Sequence, residues 1–257
     1  ANSQLFNRNA WAGVKGNGGE LRMGRQESLT RLSNLSYTDI TAEGEMNVGD
    51  TGMTGTGNRP LMYNFGSRYN NVVRYISPVM SGFKVTASTA LGQKTQASVN
   101  ALQATYDQGP LKVALTHEYF DGSGWNNLGA YNQSTMLGGQ YNLGFMTVLV
   151  AGQQIERFLP NISAANNTAL LGKHTATNLA AMVPFGQWEF RVQSTQGKTT
   201  SLAGVGLSQG KTGVSARYIL SPRTMFYAFY VERTGDAIAA SATAKKSDLG
   251  VGITHTF

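Results

Sequence analysis

Apolar and polar residues alternate one by one along most of this chain, which is the period of β-strands that have two different environments on their two faces. In the segment LKVALTHEY one phase holds the aliphatic residues Leu111, Val113 and Leu115. The polar residues Lys112, Thr116 and Glu118 lie in the other phase. Patterns with the period of a helix are scarce, so the sequence predicts an all-β fold.

The alternation divides the chain into about thirteen strand-like segments. They lie at residues 8–15, 20–26, 71–77, 83–91, 98–106, 111–120, 133–142, 145–155, 171–183, 187–195, 213–220, 224–233 and 247–257. Two of these segments supply an apolar phase that we expect to face outward: Met225, Tyr227, Phe229 and Val231 in the first, and Leu249, Val251 and Ile253 in the second.

The connections alternate between short turns rich in glycine and proline and longer polar segments. Aromatic residues collect beside the short turns, at Phe83, Phe145, Phe185, Trp188 and Phe257. Transmembrane β-barrels have short turns at one end, long loops at the other and aromatic girdles at both interfaces. A soluble Greek-key or sandwich domain with an aromatic core is the alternative, but it does not explain why short turns alternate with long connections.

Composition narrows the possible functions. The chain of 257 residues carries a net charge of +7, yet only 14% of its residues are charged. No run of Lys and Arg occurs, so the sequence does not predict binding of nucleic acid. No apolar stretch approaches the 18 residues of a transmembrane helix, and cysteine is absent. No signal peptide begins at Ala1, so we expect a mature or incomplete chain.

Three blocks of sequence resemble one family. They are RNAWAGVKGNGGELRMGRQ, RYNNVVRYISPVMSGFKV after a segment of about forty residues, and the ending SDLGVGITHTF. Together they resemble the trimeric general diffusion porins of Gram-negative outer membranes, in their beta-proteobacterial branch. The resemblance implies a 16-stranded antiparallel transmembrane β-barrel, with about 13 C-terminal strands in this chain. It also implies that Phe257 is a C-terminal assembly signal.

The resemblance further implies that residues 1–257 form one barrel domain in which residues 29–67 fold inward as a constriction loop. An odd number of strands cannot close an antiparallel barrel, because the first and last strands would run the same way. We therefore expect an odd number of strands, three by the resemblance, to be missing before Ala1. The last strand should then not pair with the first strand of this chain.

Candidate site residues come from the polar phase and from the resemblance. Alternation places Arg22, Arg68 and Arg74 inside the barrel, Lys15 could join them, and Arg8 and Arg68 match members of the family's arginine cluster. The alternation puts Arg8 in the outward phase, so its place is less defined. Asp39 matches an acidic residue of the family's constriction loop, with Glu43 and Glu45 as weaker candidates.

The predicted function is passive diffusion of small hydrophilic solutes, with a preference for anions, through a pore lined by arginines. The resemblance implies as partners the lipid bilayer, lipopolysaccharide, two further copies in a homotrimer, small anionic solutes and the barrel assembly machinery. Neither an enzymatic activity nor a metal or cofactor is predicted.

The alternatives are an outer-membrane barrel acting as an enzyme or as a loop-mediated adhesin or receptor. Against an enzyme, His117, His174 and His255 lie on different predicted strands, and no nucleophile motif occurs. The segment GVGLSQG lacks the lysine of a phosphate-binding loop and is predicted to be a polar external loop.

Overall fold

The computed structural model describes residues 8–38, 62, 66–92, 98–120, 132–158, 172–201, 204–236 and 246–256. These residues form one antiparallel sheet of thirteen strands and one helix, which confirms the all-β prediction. The elements are β1 (Ala10–Gly16), β2 (Gly19–Glu27), α1 (Leu29–Ser36), β3 (Arg68–Ile76), β4 (Phe83–Ala90), β5 (Val99–Gln108), β6 (Leu111–Phe120), β7 (Asn132–Asn142), β8 (Thr147–Phe158), β9 (Gly172–Phe185), β10 (Trp188–Thr200), β11 (Gly206–Ser221), β12 (Thr224–Thr234) and β13 (Ser247–His255).

Every strand pairs with its neighbours in sequence, so the strand order is simply β1 to β13. The turns explain why: Phe185 pairs with Trp188 across a two-residue connection in which Gly186 has a φ of 61°, a conformation that glycine adopts without strain. Across the described residues β1 and β13 are the two edges of the sheet and do not pair with each other. The prediction about the first and last strands is therefore confirmed.

The two faces of the sheet differ in chemistry. We call the face on which α1 packs, against β5, β6 and β7, the inner face, and the opposite one the outer face. Many inner-face side chains are polar and buried, for example Gln103, Thr116 and Asn178. Large apolar side chains lie exposed on the outer face, and Leu249 and Val251 are 77% and 80% exposed. An apolar outer surface and a polar interior are what a barrel in a bilayer requires.

The outward prediction for β12 is wrong, whereas that for β13 agrees with the exposed outer face. Directly opposite residues of an antiparallel pair lie on the same face, and Val251 is opposite Ala228 rather than Phe229. Met225, Tyr227, Phe229 and Val231 therefore share the inner face with Arg233. Alternation could not separate the two faces, because Phe226 and Tyr230 make the outer phase of β12 apolar as well.

The helix is short and half polar. Among the described residues no helix has both the length and the apolar composition needed to cross a membrane.

Candidate functional site

The helix α1 begins at an N-cap that also joins the two ends of the segment 29–67. The hydroxyl of Ser28 accepts a hydrogen bond of 3.1 Å from the backbone N–H of Arg31, which satisfies one free donor of the first turn. The backbone N–H of Ser28 donates to the carbonyl of Ser67 at 3.1 Å. The chain therefore leaves the sheet at Ser28 and rejoins it directly beside that point, before β3.

Hydrogen bonds fix α1 to the wall beneath it. Ser33 and Thr116 share a hydroxyl–hydroxyl bond of 2.5 Å, and the amide of Gln103 donates to the Ser33 hydroxyl at 2.8 Å. Thr30 donates to the carboxyl group of Glu118, which is 0% exposed. The side chains of Gln103, Thr116 and Glu118 lie on the inner face of β5 and β6, so the wall beneath the helix is polar.

The end of α1 is fixed further along the sheet. Gln140 on β7 donates to the carbonyl of Ser36 at 2.9 Å, and Asn178 on β9 donates to the carbonyl of Thr38 at 2.7 Å. The oxygen of the Asn178 side chain accepts from Thr195 at 2.8 Å. The segment after Ser28 thus crosses the inner face from β5 to β9.

Three arginines meet around Glu27, the last residue of β2. Arg68 forms an ion pair with its carboxylate at 2.8 Å, and Arg31 does so at 3.4 Å. Arg74 donates to the backbone carbonyl of Glu27. Two guanidinium groups therefore pair with the carboxylate of Glu27 and a third bonds its backbone carbonyl, at the start of α1.

Arg22 extends this cluster toward β1. It is the direct cross-strand partner of Arg74 on the inner face. Its guanidinium pairs with Glu20 through two bonds of 2.6 and 3.0 Å and lies 4.2 Å from the centre of the Trp11 ring. The ring face attracts the cation and holds the side chain against the wall.

The remaining predicted residues are less connected. Lys15 is exposed on β1, opposite Glu20 on the inner face. Arg8 is exposed and precedes β1. Asp39, Glu43, Glu45 and Phe257 lie outside the described residues.

A bulge in β3 changes the argument that placed Arg68 beside Arg74. Between Gly24 and Gln26, β2 advances by two residues while β3 advances by three, from Val72 to Tyr69. The extra residue reverses the alternation, so Tyr69 rather than Arg68 shares the inner phase with Val72. Alternation does not place Arg68 on the inner face. It joins the cluster at the end of the strand through its ion pair with Glu27.

Sequence reasoning missed several charged inner-face residues. Glu118 was part of the polar phase but had no assigned role, and Glu27 and Arg31 lie where a strand passes into a helix. Farther along the sheet, Glu189, Arg191 and Arg217 form a second group, with Glu189 pairing Arg191 at 2.5 Å. The alternation of WEFRV, with two opposite charges in one phase, was the signal that could have found it.

The histidines form no cluster. Each lies within hydrogen-bond distance of a threonine on the next strand: His117 of Thr135 at 2.9 Å, His174 of Thr199 at 2.9 Å and His255 of Thr224 at 2.8 Å. Within the part of the chain that the structure describes, no three His, Asp or Glu side chains are arranged to hold a metal ion.

A nearest-neighbour antiparallel sheet with an apolar outer face, a polar inner face and a helix folded against that inner face defines a channel-forming β-barrel of the outer membrane. The chain belongs to the Gram-negative porin family, whose model matches residues 1–237. It is therefore an outer-membrane diffusion channel.

Solved structures agree on the fold. The anion-selective porin from Comamonas acidovorans is 23% identical, with 98% of this chain and 78% of that chain covered and a TM-score of 0.71. OmpF of Salmonella typhi, in complex with daunomycin, is 17% identical, with 100% and 81% covered and a TM-score of 0.74. OmpT of Vibrio cholerae, an outer-membrane protein with its loop L8 deleted, is 18% identical, with 96% and 79% covered and a TM-score of 0.69. No curated protein matches the chain.

Proposed function

We propose that this porin is an anion-selective channel whose constriction is formed by residues 29–67 folded inward over the inner face. The observation that carries the proposal is the excess of cations beside α1. Arg31, Arg68 and Arg74 lie with Glu27 and Glu118 around the start of α1. Arg22, Lys15 and Glu20 continue the charged side chains along the inner face of β2 and β1, so five cations stand against three acids. The net charge of +7 has the same sign.

The mechanism is passive. Fixed guanidinium groups lower the energy of an anion in the narrow part of the pore and raise that of a cation. Their planar fork suits carboxylates and phosphates, which can accept two hydrogen bonds at once. Binding has to stay weak, because a solute that is held tightly stops conduction.

We also place the porin in the beta-proteobacterial branch and propose a homotrimer in contact with lipopolysaccharide. The three sequence blocks support the branch, the outward apolar band supports contact with lipid, and the trimer form of OmpT of Vibrio cholerae supports the homotrimer. Phe257 would then serve the barrel assembly machinery as its recognition signal, and Asp39, Glu43 and Glu45 would face the arginines across the pore. Arg8 would join the basic side from the segment before β1.

The proposal is tested with Arg22→Ala in planar bilayers under a gradient of KCl. We expect the reversal potential to move toward cation permeability while conductance stays similar or rises, since a bulky charge has been removed. The preference of the unmodified porin should also weaken between 0.1 M and 1 M salt, because the Debye length falls from about 10 Å to about 3 Å.

Arg25→Ala is the matched control. Arg25 lies on the same strand but is opposite Ala10 on the outer face, where it donates to Asn70 at 2.6 Å. Its removal should leave the reversal potential unchanged. An unchanged reversal potential in Arg22→Ala at low salt would contradict the role of the arginine cluster.

A further inference from the structure

A second patch of the inner face combines charge with aromatic rings, on β10 to β13 and away from the strands that carry α1. Two adjacent cross-strand rows compose it: Glu189, Arg217, Tyr227 and Gly252 in one, and Arg191, Ser215, Phe229 and Gly250 in the other. The charges lie on β10 and β11, the rings on β12 and bare glycine backbone on β13.

The two rings are nearly parallel to each other and lie next to the glycines of β13. Tyr227 and Phe229 are half-buried, their centroids are 6.4 Å apart and their planes differ by 16°. A Cβ at Gly250 would collide with the Phe229 ring, and one at Gly252 would collide with the Tyr227 hydroxyl and ring. The two glycines therefore leave room for the rings, which remain partly exposed on the inner face.

The charged half of the patch is net positive. Glu189 pairs with Arg191 at 2.5 Å and with Arg217 at 3.5 Å, so two guanidinium groups share one carboxylate. A guanidinium carries five N–H donors and can serve a carboxylate of the protein and one of a solute together. Arg217 is the direct cross-strand partner of Tyr227.

We propose that this patch is a binding site for planar aromatic carboxylates passing through the channel. The proposal rests on the proposed anion permeation and names a solute class for it. Neighbouring strands lie about 5 Å apart, so one small aromatic acid can place its carboxylate at Arg217 and its ring against Tyr227 and Phe229. A saturated acid of the same charge gains the ionic contact and the burial of its apolar ring, but not the additional stabilisation of an aromatic–aromatic contact.

The test compares benzoate with cyclohexanecarboxylate, which has the same charge and a ring without π-electrons. Each is titrated into the full porin in a planar bilayer, and its dissociation constant is taken from the decrease in ion current. We expect benzoate to bind about threefold or more tightly, the factor that one aromatic contact supplies. Tyr227→Leu with Phe229→Leu should remove this preference, and Arg217→Gln should weaken both acids together.

Phe226→Leu with Tyr230→Leu is the matched control, because these two aromatic residues lie on the same strand but on the outer face. It should keep the preference for benzoate. Phe229→Leu alone, with folding checked by mobility on unheated gels, keeps the test informative if the double variant does not fold.

Equal binding of the two acids by the unmodified porin, or a preference that survives the loss of both inner rings, would overturn the proposal. The reversal potential in KCl, recorded for each variant, separates this result from the proposed function. If anion selectivity is intact while the benzoate preference is absent, the aromatic site fails and the anion channel stands.

Discussion

At the scale of single residues, the porin holds its inner helix with polar contacts. Leu29 is buried, but Thr30, Ser33 and the carbonyl of Ser36 hold α1 to the wall through hydrogen bonds. Glu118 is buried completely beneath the helix. A buried polar group is costly unless it is bonded, so the loss of one partner costs more than the bond itself contributes.

Glu118→Ala should therefore destabilise the porin by about 1–3 kcal/mol, because Thr30 loses its acceptor in a buried place. The loss of stability is measured by unfolding in urea, with the folded fraction determined from mobility on gels. Glu118→Gln is the control, because its amide oxygen can still accept from Thr30. If the two variants unfold at the same urea concentration, the hydrogen bond to Thr30 is not what stabilises this contact.

At the scale of elements, the bulge in β3 decides which side chains join the inner face. Asn71 has a φ of 53°, in the left-handed region that asparagine tolerates better than most residues. The bulge lets Tyr69 pack against Phe120, with ring centroids 5.7 Å apart, in a cluster with Val72, Ala90 and Val99. Its single extra residue reverses the phase of the end of the strand.

Asn71→Val should destabilise the porin by about 1–2 kcal/mol, since a β-branched side chain is strained at a positive φ. Asn71→Gly should be tolerated. Asn70→Val serves as the control at the neighbouring position of the same bulge, which is not among the residues of positive φ. The refolding yield and the urea concentration of unfolding measure the difference in stability. Equal values for Asn71→Val and Asn70→Val would contradict the role of the positive φ at residue 71.

The sequence predicted the existence and order of all thirteen strands, because two-residue alternation survives in each of them. The predicted strand bounds were wrong where alternation gives no information about them. The bulge at Asn70 and Asn71 hid the first residues of β3, which begins at Arg68 and not at residue 71.

Strand β11 was cut short for a different reason. It begins at Gly206 and not at residue 213, and most of GVGLSQG is strand rather than external loop. Its glycines look like turn residues, but they pair with β10, as Gly206 does with Thr200. The cluster at Glu27 could not be foreseen, because it depends on a strand end, a helix and a bulge meeting in space.

At the scale of the whole molecule, the outer face carries the apolar band that allows the sheet to lie in hydrocarbon. Trp188 and Tyr218 pack at the short-turn end, with ring centroids 4.9 Å apart, and Phe83 and Tyr106 pair at 4.6 Å near two other short turns. Amphipathic rings favour the membrane interface, where one end is apolar and the other is wet. The band and these rings set the depth of the barrel in the bilayer.

Val251→Arg should cost about 2–4 kcal/mol if the site lies near the bilayer midplane, because the charge would enter lipid. Val251→Thr keeps the shape of the side chain without a charge and should cost less. Folding into liposomes at increasing urea measures both. Equal stability of the arginine variant and the unmodified porin would show that residue 251 is not in contact with lipid.

The strictly sequential order of the strands also bears on how such proteins diversify. Because each strand that the structure describes pairs only with its neighbours in sequence, a complete hairpin can be duplicated or deleted and the pairings of the remaining strands are kept. The circumference of a barrel grows with its number of strands, so evolution can widen or narrow the pore in steps of one hairpin.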